Sequence, residues 1–268
     1  MLEEVSPWFE SPLGSQVLDT ELAIIEQLLP GFFGYHLLQL SVQSRLLYES
    51  SPIRHKFSLA PSVESNLAAC KVSSENTNQR VSPQVLAETE LLPFEKDSLD
   101  VVLLHHLLDF HASPQNLLRE VSRVARPNGQ VVIVGFNPLS LWGAYKPIGA
   151  LRKKQPWQGN FIRPGRLMDW LNLLNFKIDR AQYSIYSPPY QRKEKAGPQV
   201  DYSQGLSRNY NWPFGAVFVI VARKQVGTIT PIRPVWTGKQ NLGRLSVVRP
   251  AAGREIANRN FPNDSPKK

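Results

Sequence analysis

Residues 92–138 read LPFEKDSLDVVLLHHLLDFHASPQNLLREVSRVARPNGQVVIVGFNP, and the reading of this stretch decides the fold. Two short apolar runs, residues 100–104 and 130–135, flank a segment with helical spacing. Runs that are apolar on both faces suit parallel strands covered by helices on both sides. Between them, Ser113 is placed to cap a helix and Pro114 to occupy its first turn. Leu117, Leu118, Val121 and Val124 give that helix an apolar face, and Pro127, Asn128 and Gly129 end it. A strand–helix–strand unit with so short a return makes the two strands parallel and the crossover right-handed. His105 and His106 close the first strand. Successive strand residues face opposite ways, so one of the two is expected to point inward.

The series resembles the class I S-adenosylmethionine-dependent methyltransferases, in the branch termed methyltransferase type 11. The resemblance is carried by Leu92-Pro93-Phe94, Ser98-Leu99-Asp100, His106-Leu107-Leu108-Asp109, Pro114, Leu118-Arg119-Glu120-Val121, Arg123-Val124, Pro127-Asn128-Gly129 and Gly135-Phe136-Asn137-Pro138. It covers the fourth and fifth strands of that fold, and weaker similarity extends over roughly residues 8–222. The implied fold is α/β and Rossmann-like: a seven-stranded, mostly parallel sheet with an antiparallel last strand and helices on both faces. The implied cofactor is S-adenosylmethionine, and the implied activity is transfer of its methyl group.

In that family the first strand ends in an acidic residue followed by a Gly-x-Gly-x-Gly loop, because the backbone there adopts left-handed angles and lets the cofactor approach closely. The first-strand candidate is residues 35–40. Gln39 takes the acidic position, and Ser41, Gln43 and Arg45 take the three glycine positions, with β-branched Val42 stiffening the loop. The second-strand candidate, residues 56–60, ends at Ala60 where the family usually carries a carboxylate for the ribose hydroxyls. A charge-assisted hydrogen bond contributes ~1.5–3 kcal/mol, so losing two weakens binding substantially. Residues 85–87 form a short third strand, and Glu88 falls where the family often contacts the adenine amino group. The resemblance thus marks Gln39, Ser41, Gln43, Ala60, Glu88 and His105 as the cofactor side. The alternative for Glu88 is an ordinary surface carboxylate before a turn.

Residues 6–14 read as a loop laid against the body, and Leu18, Leu22, Ile25 and Leu29 as a helix stopped by Pro30-Gly31. That helix either covers the cofactor side or simply covers the sheet. Beyond the fifth strand, an insertion over about residues 139–166 carries Trp142, Tyr145, Trp157 and Phe161 among six Lys and Arg residues. Ligands of open α/β sheets bind at this edge. The insertion reads as a lid, with Trp142, Trp157 and the preceding Asn137 as substrate contacts; stacking on nucleic-acid bases is the competing reading. Residues 167–176 read as a helix, 177–186 as the sixth strand, and 213–223 as the last strand.

Composition bounds the rest. The 268 residues, 42% apolar, suffice for one large domain with extensions. A methyltransferase-like domain is expected over residues 1–223 and a basic, disordered tail over 224–268. Residues 1–150 carry 10 Lys and Arg against 16 Asp and Glu, net −6; residues 151–268 carry 21 against 6, net +15, and the two sum to the chain's +9. A basic portion attracts anionic partners, nucleic acid included, although a solvated surface is the weightier reading. One cysteine, Cys70, excludes an internal disulfide and fits a cytoplasmic protein. Neither a signal peptide nor a membrane span is expected.

Methyl transfer asks mainly for alignment of an acceptor with a sulfonium, and for a base only where the acceptor must lose a proton. His106 is the candidate base, against a structural role at a strand end. No HExxH or Cys/His spacing is present, so no metal is expected. Two readings follow: a methyltransferase of unknown acceptor, and a catalytically inactive relative that keeps the fold as a binding module.

Overall fold

The computed structural model describes residues 5–43, 45–60, 84–86, 91–152, 154–189 and 211–225. In chain order the described elements are helices α1 (Ser6–Phe9) and α2 (Pro12–Leu28), a 3-10 turn (Leu29–Gly31), and strands β1 (His36–Ser41), β2 (His55–Ala60), β3 (Gln84–Leu86) and β4 (Leu99–His105). Helices α3 (Leu107–Phe110) and α4 (Pro114–Val124) lead to β5 (Ala125–Phe136). Then come α5 (Leu141–Leu151), α6 (Pro164–Leu173), β6 (Phe176–Ser184) and β7 (Val217–Lys224). The basic tail from residue 226 onward and Glu88 lie outside the described residues.

The strands form one seven-stranded sheet in the order β3-β2-β1-β4-β5-β7-β6. The first five pair in parallel, while β7 runs antiparallel to both β5 and β6. The sequence order reverses between β1 and β4, where Leu38 pairs with Val102 and Ser41 with His105. The unbroken apolar runs are buried on both faces, as such runs require: Leu37, Leu38, Val102–Leu104, Val131–Val134 and Val217–Ala222 are almost entirely sealed from solvent. Helix α4 lays Leu117, Leu118, Val121 and Val124 on the sheet.

Two local expectations need correction. Residues 6–14 are mostly helical rather than a loop: Pro7 and Pro12 sit in first turns, where a missing N–H costs nothing, and Ser11 Oγ accepts from Gly14 N to cap α2. Pro127-Asn128-Gly129 interrupts β5 instead of preceding it. Ala125 already pairs with Leu99, the register shifts, and pairing resumes at Gln130 with Val101, with Asn128 at φ 65°. Gly34 is a position only glycine fits. Its φ is 153°, and a Cβ there would come within 2.3 Å of the Asp100 Cβ. The close approach lets Asp100 Oδ2 accept from both Tyr35 N (2.8 Å) and His36 N (3.0 Å).

Candidate functional site

The carboxyl ends of β1 and β4 meet beneath α2. Helix α2 buries a stripe of Val17, Leu18, Ile24, Ile25 and Leu28, and Glu21 lies in the middle of it, fully buried. A carboxylate there needs partners. It finds two: Oε2 lies 2.9 Å from His105 Nε2, and Oε1 lies 2.7 Å from His106 Nε2. The outer ring nitrogens are also engaged, His105 Nδ1 with Ser41 Oγ at 3.0 Å and His106 Nδ1 with Asp109 Oδ2 at 3.1 Å. Asp109 Oδ2 in turn accepts from Phe136 N at 2.9 Å.

Both histidines therefore point the same way, contrary to the alternation expected of strand residues. The cause is the backbone: His106 sits in the left-handed region, φ 53° and ψ 2°, just past the end of β4. That conformation is strained for a residue with a Cβ and persists only where its surroundings hold it. Here it turns the second imidazole back beside the first, 4.7 Å between ring centroids. Phe9 lies 5.5 Å from each ring, and Phe136 lies 4.1 Å from His106. The cluster is thus enclosed by apolar rings.

Burial shapes its charges. Burial pushes the Glu21 carboxyl up, but the His106 charge and hydrogen bonds from both imidazoles outweigh it and hold it at about 2. Burial pushes His106 down, but the Glu21 charge and bonds to Asp109 and Glu21 raise it to about 9. For His105 burial wins, and its basicity falls. Burial pushes Asp109 up. The family pattern does not single out Glu21. The available signal was an acid on an apolar stripe, three residues after Leu18 and four before Ile25.

The loop after β1 takes up most of the remaining polar groups. Gln39, fully buried, donates through Nε2 to Arg45 O (2.8 Å) and accepts at Oε1 from Leu47 N (2.8 Å). Both ends of its amide therefore brace the loop. Gln43 Nε2 donates to Arg45 O, its Oε1 accepts from Arg45 N, and its own N–H donates to Ser41 Oγ. These side chains hold the loop where the family pattern has glycines. Ala60 ends β2 opposite Leu86.

A cleft of about 230 Å³ opens at this loop. Gln43 and Arg45 line one side; Ser6, Phe9, Glu10 and Leu18 of the N-terminal helices line the other. Arg45, half exposed, reaches Asp19 at 3.1 Å. The insertion residues lie elsewhere and are internal. Asn137 Nδ2 donates to Pro213 O and Gly215 O, and its Oδ1 accepts from Leu139 N. Trp142 stacks on Phe136 at 5.9 Å and donates to Ser187 O. Trp157 packs 5.4 Å from Trp142, and neither indole faces solvent. These three brace the turn and the insertion rather than display a surface to a substrate. The large apolar side chains that point outward there are Leu139, Leu141, Ile148 and Leu151.

Comparison with known proteins agrees with this architecture. Residues 57–133 match the family model described as Methyltransferase domain. The uncharacterized protein YafS of Escherichia coli K12 is 37% identical over 161 residues, 58% of this chain and 60% of that one. A Methanocaldococcus jannaschii protein is 24% identical over 121 residues, 45% of this chain and 58% of its own length. The chain thus spans about three-fifths of the curated relatives it matches. Among solved structures, a Thermotoga maritima SAM-dependent methyltransferase, described as a possible histamine N-methyltransferase, superposes with TM-score 0.61 at 19% identity, over 82% of this chain and 93% of that one. No helix among the described residues is long and apolar enough to cross a membrane.

Proposed function

We propose that this chain, whose fold is that of the S-adenosylmethionine-dependent methyltransferases and whose residues 57–133 match the Methyltransferase domain model, is a member of the type 11 branch that holds S-adenosylmethionine at the carboxyl edge of its sheet and transfers its methyl group. The observation that carries the reading is the position of the cleft. It opens at the loop after β1, where the strand order reverses, and ligands of doubly wound sheets bind at that switch point. Its volume falls below the ~300–1,000 Å³ of typical ligand pockets, so it accommodates one end of such a cofactor. The lining suits the amino-acid end. Arg45 offers a guanidinium to the carboxylate after exchanging its exposed partner Asp19, and Glu10 stands across the cleft for an ammonium. The ribose end gains nothing from Ala60, which has no acceptor, and is left to segments outside the described residues, Glu88 included.

When bound, the cofactor supplies an activated methyl group. The chain's own part is positioning and exclusion of water. Phe9 and Leu18 of α2 supply the apolar wall of the cleft, and the braced loop holds Gln43 and Arg45 on the other. His106 does not serve as a base in this arrangement: raised to about 9, it is protonated near neutrality, with both N–H groups committed to carboxylates. Its role is to hold Glu21 and α2 in place. The outward Leu139, Leu141, Ile148 and Leu151 beyond β5 support an acceptor with apolar surface.

A specific observation favours a second reading, a methyltransferase fold that binds without transferring. Gln39, the residue at the family's acidic position, spends both amide groups on its own loop. Methyl-labelled cofactor incubated with the full chain and fractionated cell extract separates the two. Label in an acceptor fraction, lost in Arg45→Glu, is the expected result. Cofactor binding without label in any fraction is the outcome of the inactive binder and overturns the transferase.

A further inference from the structure

We propose that Glu21, His105 and His106 form a binding site for one divalent first-row transition metal ion of the Zn²⁺ class, which clamps α2 across the carboxyl ends of β1 and β4. The three residues offer a carboxylate and two imidazole nitrogens within 4.8 Å of one another, all fully buried. Two histidines and one carboxylate are a donor set that binds zinc, and the same set binds non-haem iron.

Three independent features distinguish the cluster from a chance set of hydrogen bonds. The first is the far side of each ring. Imidazoles that ligate metals have their other nitrogen held by a carboxylate, hydroxyl or carbonyl, which fixes the tautomer and the ring plane. Here Asp109 Oδ2 holds His106 Nδ1, and Ser41 Oγ holds His105 Nδ1. Asp109 is itself anchored by Phe136 N. With those contacts made through Nδ1, both Nε2 atoms face the same carboxylate.

The second is the backbone. His106 adopts a left-handed conformation that sets two adjacent imidazoles on one side of the chain. A hydrogen bond to Glu21 from His105 alone would not require it.

The third is charge. Two carboxylates, Glu21 and Asp109, are buried beside Phe9 and Phe136, and among the described residues neither is paired with a Lys or Arg, Lys146 acting on Asp109 only through its charge. With two neutral imidazoles, a dication balances both acids. On binding, His106 gives up its Nε2 proton to solvent and keeps Nδ1–H on Asp109, while neutral His105 shifts its proton from Nε2 to Nδ1, where it is donated to Ser41 Oγ; both Nε2 lone pairs then face the ion. The ligand atoms spread slightly from their present 2.7 and 2.9 Å separations to reach metal–ligand lengths of ~2.0–2.1 Å. The site is sealed, so its work is mechanical. It pins the helix whose Leu18 lines the cleft, and it is independent of whether a methyl group is transferred there.

The test uses the full chain, stripped with a chelator and titrated with Zn²⁺ against a chromophoric competitor, then with Co²⁺ for its visible spectrum. One equivalent is expected to bind and to raise Tm, with a Co²⁺ spectrum free of thiolate charge-transfer bands. Glu21→Gln should bind at least tenfold more weakly, and Ser41→Ala roughly tenfold more weakly, since loss of an outer partner typically costs 10–100-fold. His55→Gln, at the opposite edge beside His36, should bind as wild type. The proposal is overturned by failure to take up an equivalent, by a thiolate band from Cys70, or by uptake unchanged in Glu21→Gln. Should Glu21→Gln not fold, unchanged affinity in folded Ser41→Ala overturns it equally. All readouts are free of cofactor, so this outcome and that of the transferase reading are separate.

Discussion

The two edges of the sheet solve the same problem in opposite ways. At the amino edge, polar groups tie strand ends together in contact with water. Asp100 receives Tyr35 N and His36 N and pairs with half-exposed Arg126 at 3.1 Å. Lys224 Nζ donates to Asp97, Ser122 O and Ala125 O, each at 2.8 Å, and Arg123 joins Glu120 to the carbonyls of Leu92 and Phe94. At the carboxyl edge, Ser41, His105, Glu21, His106 and Asp109 are linked in a sealed chain around a strained residue. Solvent stands in for a lost partner at the first edge and cannot at the second. Asp97 and Asn128 also take positive φ at the amino edge, but in turns that solvent reaches; His106 takes it fully buried, and strain combined with burial marks the carboxyl edge as the working one.

The largest expected break of that contrast is Glu21→Ala. Removing one partner of a buried charged cluster costs about 3–5 kcal/mol, to be read as the loss in denaturant-unfolding stability. Next is pH, with a chelator present. His106 is raised from 6.5 to about 9 in the folded protein, so the stability it contributes is complete below pH 6.5 and is lost as pH rises through about 9. The loss is on the order of 3 kcal/mol. Glu21, lowered to about 2, has the opposite sign: its contribution is present above pH 4.5 and is lost as pH falls towards 2. Unfolding free energy measured from pH 6 to 10 should decline in wild type and stay flatter in His106→Asn. A smaller effect follows at the amino edge, where Asp100→Ala should cost about 1–2 kcal/mol, with Tyr35 N left to water. Smallest is Asp19→Ala, a surface pair, expected to change stability by less than about 1 kcal/mol.

Much of the scaffold was legible in the chain. Apolar runs of the right length in residues 100–104 and 130–135 are buried on both faces because a parallel strand between helical layers has no polar face to show. The carboxyl edge was harder to read. Period-two reasoning separates His105 from His106, but a left-handed residue breaks the period and sequence pattern does not mark it. Glu21 was hidden by the periodicity that identified its helix, since a stripe is read from its apolar members. Trp142 and Trp157 read as display residues because aromatics among basic groups suit a ligand surface. In the fold, Arg152, Lys154, Arg163 and Arg166 turn outward, Lys146 lies over the Phe161 ring, and the indoles stack inward on Phe136 and each other.

The central claim is that the cleft at the loop after β1 takes the methyl donor. Calorimetric titration of the full chain with S-adenosylhomocysteine tests it most directly, run beside Arg45→Glu at the cleft and Asp100→Ala at the far edge. Saturable one-to-one binding that Arg45→Glu weakens at least tenfold and Asp100→Ala leaves intact is the predicted result. Absence of heat at millimolar ligand in wild type, or binding indifferent to Arg45→Glu, contradicts it.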